Sequence, residues 1–399
     1  MKIALVHELL TMRGGAERVT RVLAEMFPDA PVYTLLYNEK KLGGWFPKDR
    51  VRTSGLQPAT CNLLPDTVKF NHHLYLSRFP KAIEQFDFRA FDLVISVSSA
   101  FAHGIITNGS PKHIAFINAP ARYLWDRTHD VLERAGRGFL GSVRRVYLER
   151  VFHRLRIWDA EAADRADMLL AASKDVQRRI ELHWRRPSTV VYPPVDDYWL
   201  EKTGTGPVSN ASNRKKNRTC PGFFAIVSTL APYKRIDLAI EACNALKLPL
   251  KIAGEGEDRR RLERLAGPTV TFLGYRERGA LHELLADASA FLFPGEEDYG
   301  IAPLEAMACG TPVIAYRGGG ALETIAEGET GAFFGEPTVE SLQRILESFN
   351  PTSFSPDACR RRAGQFSRAQ FEAGIRSAIE TTMAGSREQK TGGSQCTTI

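Results

Sequence analysis

The sequence predicts an α/β protein built as two parallel-layered domains. Three observations carry this. Short apolar, β-rich runs recur between amphipathic stretches along most of the chain, as strands buried on both faces by helices do. One polar, basic stretch, residues 202–218, interrupts the rhythm. The length of 399 residues suits two or three domains of about 100–200 residues each.

The elements follow in order. Ile3–Val6 reads as a buried strand, Gly14-Gly15 as a turn and Ala16–Met26 as a helix. Asp92–Val97, His113–Ile117, Met168–Ala171 and Thr189–Tyr192 are further apolar runs. Beyond the basic stretch the pattern restarts with Phe223–Val227, a helix over Ile236–Ala245, and Leu250–Ala253. Thr269–Leu273, Ala290–Phe293 and Pro312–Ala315 complete the second set. The expected layout is a first domain over 1–200, a basic flexible linker over 201–219 and a second domain over 220–355. Helices over 356–385 pack back on the first domain, and a disordered tail fills 386–399.

Composition narrows the function classes. With 43% hydrophobic and 25% charged residues the chain is neither wholly disordered nor collagen-like. The net charge of +7 raises nucleic acid and anionic membranes as partners. Its distribution is uneven: residues 1–201 carry a net +6, residues 202–218 five bases and no acid, and residues 219–399 a net −4. The six cysteines, Cys61, Cys220, Cys243, Cys309, Cys359 and Cys396, lie far apart with no CxxC pair. That favours a reduced, cytoplasmic protein. Neither a signal-peptide core nor a run of about 18 apolar residues is present, so work at a membrane would be done from its surface. The nine histidines lack ligand spacing with Cys or Asp, so no metal is expected.

The segment Phe293–Tyr316 carries the most chemistry. A strand ends at Phe293, a loop bears Glu296, Glu297 and Asp298, and a helix begins near Ile301 after Tyr299-Gly300. Free amides at Gly300, Ile301 and Ala302 then form an anion site at a helix N-terminus. Glu297 and Glu305, eight positions apart, suit hydroxyl groups of a ribose and a sugar. Read alone, the acids equally suit helix capping.

This segment resembles the family 4 glycosyltransferases, whose mark is two Glu residues separated by seven others. Here the string runs Glu297-Asp298-Tyr299-Gly300-Ile301-Ala302-Pro303-Leu304-Glu305-Ala306-Met307-Ala308-Cys309-Gly310-Thr311-Pro312-Val313. Gly14-Gly15-Ala16-Glu17, Tyr192-Pro193-Pro194-Val195-Asp196, Ala253-Gly254-Glu255-Gly256, Val270-Thr271-Phe272-Leu273-Gly274 and Gly328-Glu329-Thr330-Gly331 resemble further family motifs in the family's order. The likeness spans roughly residues 1–345. It implies a GT-B fold, two Rossmann-like domains facing an interdomain cleft. It also implies Glu297 at the donor hexose, Glu305 at the nucleotide ribose, and Gly15, Gly254 and the amides of Tyr299–Ala302 at the donor.

The family pattern at the second domain's first loop is Arg-Leu, three residues, Lys. Lys234 matches the Lys, whereas Thr229 stands at the Arg position. Arg235, next to Lys234, is the candidate second cation, although Arg geometry does not transfer freely between backbone positions. Read without the family, Lys234 and Arg235 are solvated helix-start residues.

On the acceptor side, Asn118-Ala119-Pro120-Ala121-Arg122-Tyr123-Leu124-Trp125-Asp126 resembles a string of family members acting on mannose-containing surface polysaccharides. Asn118 replaces the His usual there, so a general base at this position is not expected. Asn118 also suits a turn before Pro120. Arg122 and Glu17 are the other residues assigned to the acceptor or sugar side.

Residues 134–158 hold seven Arg and one acid, interleaved with Phe139, Leu140, Tyr147, Leu148, Val151, Phe152, Leu155 and Trp158. The spacing from Val143 suits an amphipathic helix, either docked on an anionic membrane or with a solvated Arg face. No nucleic-acid motif accompanies the charge.

The resemblance therefore implies a retaining hexosyltransferase, with mannose from GDP-mannose first, acting on a glycan or lipid-linked acceptor in surface polysaccharide or lipopolysaccharide synthesis. The expected place is the cytoplasm, peripheral on the inner membrane face, with no cofactor and no nucleic acid. The alternatives are a non-catalytic nucleotide-sugar or glycan-binding relative, motivated by Thr229 and Asn118, and another GT-B enzyme such as a sugar-nucleotide epimerase or a phosphorylase. A Rossmann dehydrogenase is disfavoured, since the first βα turn lacks Gly-x-Gly-x-x-Gly.

Overall fold

The computed structural model describes residues 1–57, 70, 72–201 and 222–391. The chain forms two compact units, Met1–Tyr192 with Glu372–Ile399, and Pro193–Phe371. The division falls earlier than residue 200. Val195 and Trp199 already belong to the second unit: the Val195 amide donates to the Phe366 carbonyl at 2.8 Å, and Trp199 stacks against His282. Nearly all of the expected linker 201–219 lies outside the described residues.

Among the described residues the first unit has seven strands: β1 (Ile3–Leu10), β2 (Val32–Tyr37), β3 (Val51–Thr53), β4 (Leu93–Ser98), β5 (Lys112–Ile117), β6 (Met168–Ala171) and β7 (Thr189–Val190). They pair in parallel in the order β3-β2-β1-β4-β5-β6-β7. Every residue of β4 is buried, as a central parallel strand requires. β1 runs on past Val6 through His7 and Glu8, because those two side chains find polar partners beneath the surface. β2 and β3 are additions to the expected elements. β3 is a short edge strand with two exposed residues, so its sequence carries little apolar signal.

The second unit has, among its described residues, six strands: β8 (Phe224–Val227), β9 (Leu250–Ala253), β10 (Val270–Gly274), β11 (Ala290–Phe293), β12 (Val313–Tyr316) and β13 (Gly331–Phe334). All are parallel, in the order β10-β9-β8-β11-β12-β13. This is the doubly wound Rossmann order, and its direction reverses between β8 and β11. Ile226, Leu250, Ile252, Leu292, Ile314 and Phe334 form the sheet's share of the core. The helix Ile236–Ala245 covers it with Ile236, Ala239, Ile240 and Cys243. That helix, β6, β9 and β11 keep the bounds their apolar spacing predicts.

Two helices close the chain, Pro356–Gly364 and Arg368–Thr391. The second continues through residues 386–391, where the sequence predicts a disordered tail. Arg387, Glu388, Gln389 and Lys390 are good helix formers and extend a helix already nucleated upstream. Residues 392–399 lie outside the described residues. From Glu372 onward this helix belongs with the first unit. The Thr382 hydroxyl lies 3.7 Å from the Met168 sulfur, and a methyl on Gly374 would meet Val191.

Candidate active site

In open α/β sheets, ligands bind beyond the carboxyl ends of strands where the strand order reverses. In the second unit that point lies past β8 and β11. The loop after β8 runs through Ser228 and Thr229 into the turn Pro232–Lys234 and the helix from Ile236. The loop after β11 carries Glu296–Asp298 into the helix Ile301–Ala308.

These two loops meet at Lys234 and Glu297. The Lys234 Nζ lies 2.5 Å from Glu297 Oε2, with the two side chains 14% and 21% exposed. The pair is therefore reachable from solvent yet largely walled in. Lys234 Nζ also sits 5.0 Å from the Tyr233 ring centre. Arg235 adopts a left-handed backbone at φ 50° and caps the start of the helix Ile236–Ala245. Its Nε lies 3.4 Å from Asp237 Oδ1. Each candidate cation thus already has a carboxylate partner. Thr229 is exposed on the same loop.

Backbone packing holds these loops. The Leu230 amide donates to the Glu255 carbonyl at 3.0 Å, and the Asp258 amide to the Leu230 carbonyl at 3.0 Å. Gly254 has φ +133°, and a Cβ there would stand 1.9 Å from the Ser228 carbonyl oxygen. Only glycine fits both demands. Gly254 thus shapes the loop bearing Thr229 and Lys234. On the other side, the Gly320 amide donates to the Glu297 carbonyl at 2.9 Å. A Cβ at Gly320 would stand 2.4 Å from the Tyr299 Cα. The run Gly318-Gly319-Gly320, absent from the predicted site, is the bed of the Glu297 loop. Its position one residue past β12 was the available signal: consecutive glycines just beyond the carboxyl end of a buried strand mark close backbone approach.

The other residues assigned to the donor divide by role. Gly300 precedes the helix Ile301–Ala308, and no side chain caps that end, so the amides of Ile301 and Ala302 face the terminus uncapped by a side chain. Tyr299 turns inward: it is buried, and its hydroxyl donates to the Pro193 carbonyl at 2.9 Å. Its side chain is thus an anchor for the loop, leaving only its backbone toward the terminus. Glu305 is 5% exposed, one turn into the helix. Burial pushes the neighbouring Cys309 thiol up to about 12, with the Glu305 charge adding to it, so this cysteine is an inert packing group.

In the first unit the corresponding point lies past β1 and β4. Gly15 opens the helix Gly15–Met26. Glu17 closes that helix's capping box, accepting from the Gly14 amide at 3.0 Å. Its other oxygen lies 3.9 Å from His7 Nε2, and Thr20 Oγ1 is 3.0 Å from His7 Nδ1. Burial opposes charge on His7, but the carboxylates of Glu17 and Glu8 outweigh it, and its pKa is raised. Glu8 accepts from the Ser99 and Ala102 amides at 2.7 and 3.2 Å, while burial raises its own pKa.

Asn118 follows β5 and donates from Nδ2 to Ser99 Oγ at 3.3 Å. Arg122 opens the short helix Arg122–Trp125. The rest of that motif is structural. Trp125 and Trp184 both donate their indole N–H to Asp159 Oδ2 at 2.8 Å. Asp126 pairs with Arg179, and Trp125 stacks on His183 at 4.7 Å. Burial pushes the Asp159 carboxyl up to about 7, against the two indole hydrogen bonds. Burial likewise lowers His103, which lies 3.5 Å from Asp159 Oδ1, to about 4. Asp159 carried no assignment from sequence, because its partners lie far along the chain.

Among the described residues no group of three His, Cys, Asp or Glu side chains could hold a metal ion, and no helix is long and apolar enough to cross a membrane.

Comparison with known proteins adds the following. Residues 209–364 match the model of the family described as glycosyl transferases group 1. A GDP-mannose-dependent alpha-(1-6)-phosphatidylinositol dimannoside mannosyltransferase of Mycobacterium tuberculosis is 42% identical over 111 residues, 26% of this chain and 29% of that protein. A GDP-mannose-dependent alpha-mannosyltransferase of Mycolicibacterium smegmatis is 32% identical over 180 residues, 44% of this chain and 46% of that protein. The chain thus matches less than half the length of either mannosyltransferase. The Anabaena protein HepE, solved in complex with UDP, superposes with a TM-score of 0.67 at 18% identity, over 96% of this chain and 100% of that one. The chain therefore has the GT-B fold, two Rossmann-like units, and its second unit carries the segment that matches the glycosyl transferases group 1 model.

Proposed function

We propose that this chain is a retaining glycosyltransferase that moves a hexose from a nucleotide sugar to a glycan or lipid-linked acceptor. The observation that carries this reading is the Lys234–Glu297 pair at the strand-order reversal of the second sheet, beside the uncapped helix end at Ile301. The likeness to two GDP-mannose-dependent enzymes supports mannose from GDP-mannose as the donor.

In this reading the donor diphosphate lies against the Ile301 and Ala302 amides and draws the Lys234 ammonium away from Glu297. The exchange frees Glu297 to accept hydrogen bonds from hexose hydroxyls, while Glu305 receives the ribose. Both cations are neutralised before the donor arrives, so the donor competes for Lys234. Charge-assisted hydrogen bonds to phosphate are strong enough for such an exchange.

The reaction proceeds by front-face attack. The acceptor oxygen bonds to the anomeric carbon as the bond from that carbon to the phosphate oxygen breaks on the same face. The hydroxyl proton passes to the leaving phosphate, so no protein base at Asn118 is needed. Lys234 and the helix amides stabilise the charge developing on the diphosphate. We place the reaction in the cytoplasm, and the product in a surface polysaccharide or lipopolysaccharide.

The test is nucleotide release from purified protein offered a panel of nucleotide sugars, with and without a lipid-linked acceptor extract. GDP release from GDP-mannose, raised by the acceptor, is the expected result. Release from a UDP-sugar alone would overturn the donor assignment. Thermal stabilisation by a nucleotide with no turnover would replace the enzyme by a binding protein, the reading that Thr229 and Asn118 favour.

A further inference from the structure

The helix Gly141–Ala162 presents two unlike faces. Its inner face buries Phe152, Leu155, Asp159 and Ala162. At 100° per residue, Val143, Val146, Tyr147, Arg150, Arg154 and Ile157 fall within one outward sector about 100° wide. The structure leaves all six of these side chains exposed. Val143 is 69% and Tyr147 56% exposed, and at the approach to the helix Phe139 is fully exposed and Leu140 67%.

An outward helix face normally carries polar residues and leaves large apolar ones inside. Here the apolar side chains cluster at the helix start and the guanidinium groups further along. Arg145 and Arg137 are engaged by Glu149 and Glu133 at 2.9 and 3.0 Å. Arg150 and Arg154 have no carboxylate partner among the described residues, and the sector's one acid, Glu161, stands at the far end of the helix.

We propose that this face is a docking surface for an anionic lipid bilayer. The Phe139–Tyr147 end enters the headgroup boundary and Arg150 and Arg154 meet lipid phosphates. Charge complementarity selects the anionic surface, and exposed aromatic and aliphatic side chains followed by Arg suit the interface. The helix of 22 residues is about 33 Å long. The sequence pattern predicted apolar residues on one side and bases on the other; the structure shows both on the outward side. The inference stands independently of the transferase reading.

The experiment is flotation of the full chain with vesicles of phosphatidylcholine, alone or mixed in equal parts with phosphatidylglycerol. The wild type is expected to float with the mixed vesicles at low salt and not with phosphatidylcholine alone. The double variant R150E/R154E loses at least about tenfold in partitioning. The double variant F139S/L140S still responds to charge but is released at a lower salt concentration. Both keep the wild-type melting temperature and the wild-type rate of nucleotide release with a soluble acceptor. That rate separates failure of docking from failure of the transferase reading. No flotation of the wild type, or equal flotation of R150E/R154E, overturns the proposal. A concentration-dependent dimer broken by Val143→Glu, without lipid binding, would assign the face to a second copy of the chain. Binding to duplex DNA in preference to the vesicles would overturn it as well.

Discussion

Each sheet reverses its strand order beside its own first strand, β1 against β4 in one unit and β8 against β11 in the other, yet the loops at these points behave oppositely. Past β1 and β4 the polar groups are spent on one another. Glu8 holds the Ser99 and Ala102 amides, Glu17 caps its helix and faces His7, and Ser98 binds His103, which adjoins Asp159. Past β8 and β11 the charged groups also pair, but in a partly open position, and the helix end there lacks a side-chain cap. One topology thus serves as a buried polar frame in one place and as a candidate ligand site in the other. The difference lies in whether the carboxylates meet backbone amides of their own unit or a cation that a ligand could take over.

The largest test of this contrast is Lys234→Ala. Nucleotide release is expected to fall about 100- to 1000-fold, the scale for removing a group that stabilises developing charge. A melting temperature near wild type would confirm that the loss is chemical. Near-normal turnover would erase the distinction between the two points. Gly254→Ala attacks the scaffold instead. Its φ of +133° and the 1.9 Å approach to the Ser228 carbonyl predict a loss of at least about 3 kcal/mol in denaturant unfolding.

Asp159→Asn probes the closed frame. A carboxyl whose pKa is raised in the fold stabilises the native state below its ordinary value of 3.8, and that contribution is lost as pH rises toward about 7. Above that pH the native state holds a buried, uncompensated charge. Asn retains an oxygen for both indole donors. The variant should therefore be more stable than wild type by about 1–2 kcal/mol at pH 8 and no more stable at pH 5. Thermal melts at the two pH values check this; an equal shift at both would remove the charge as the cause. The smallest effect is expected from Thr229→Arg. It adds an exposed cation beside Lys234, and GDP affinity, read by calorimetry, should tighten about two- to fivefold.

The contrast also explains what could be read from the residues alone. Strands buried on both faces announce themselves as apolar runs, which is why β6, β9 and β11 kept their bounds. The Glu297–Glu305 string is local, within one loop and one helix, so its spacing was legible. The Gly318–Gly320 bed was not, because its meaning depends on which backbone lies across it. The amide of Tyr299 was expected at the donor together with those of Gly300–Ala302; that its ring would turn to the Pro193 carbonyl was not legible, because that partner lies more than a hundred positions away. The Trp125 motif resembled an acceptor site, and the fold shows part of it bound to Asp159, a residue more than thirty positions away.

The sequence by itself determined the class of fold, the two-unit plan and the loops where charge would gather. These depend on short-range periodicity and local turn chemistry. Only the tertiary structure decided that Lys234 would face Glu297, that Arg235 would be held by Asp237, and that the basic helix would leave Val143, Val146, Tyr147 and Ile157 outward. Those outcomes depend on which distant backbones pack together, and burial fixes the partner of a polar group only after the sheets have formed.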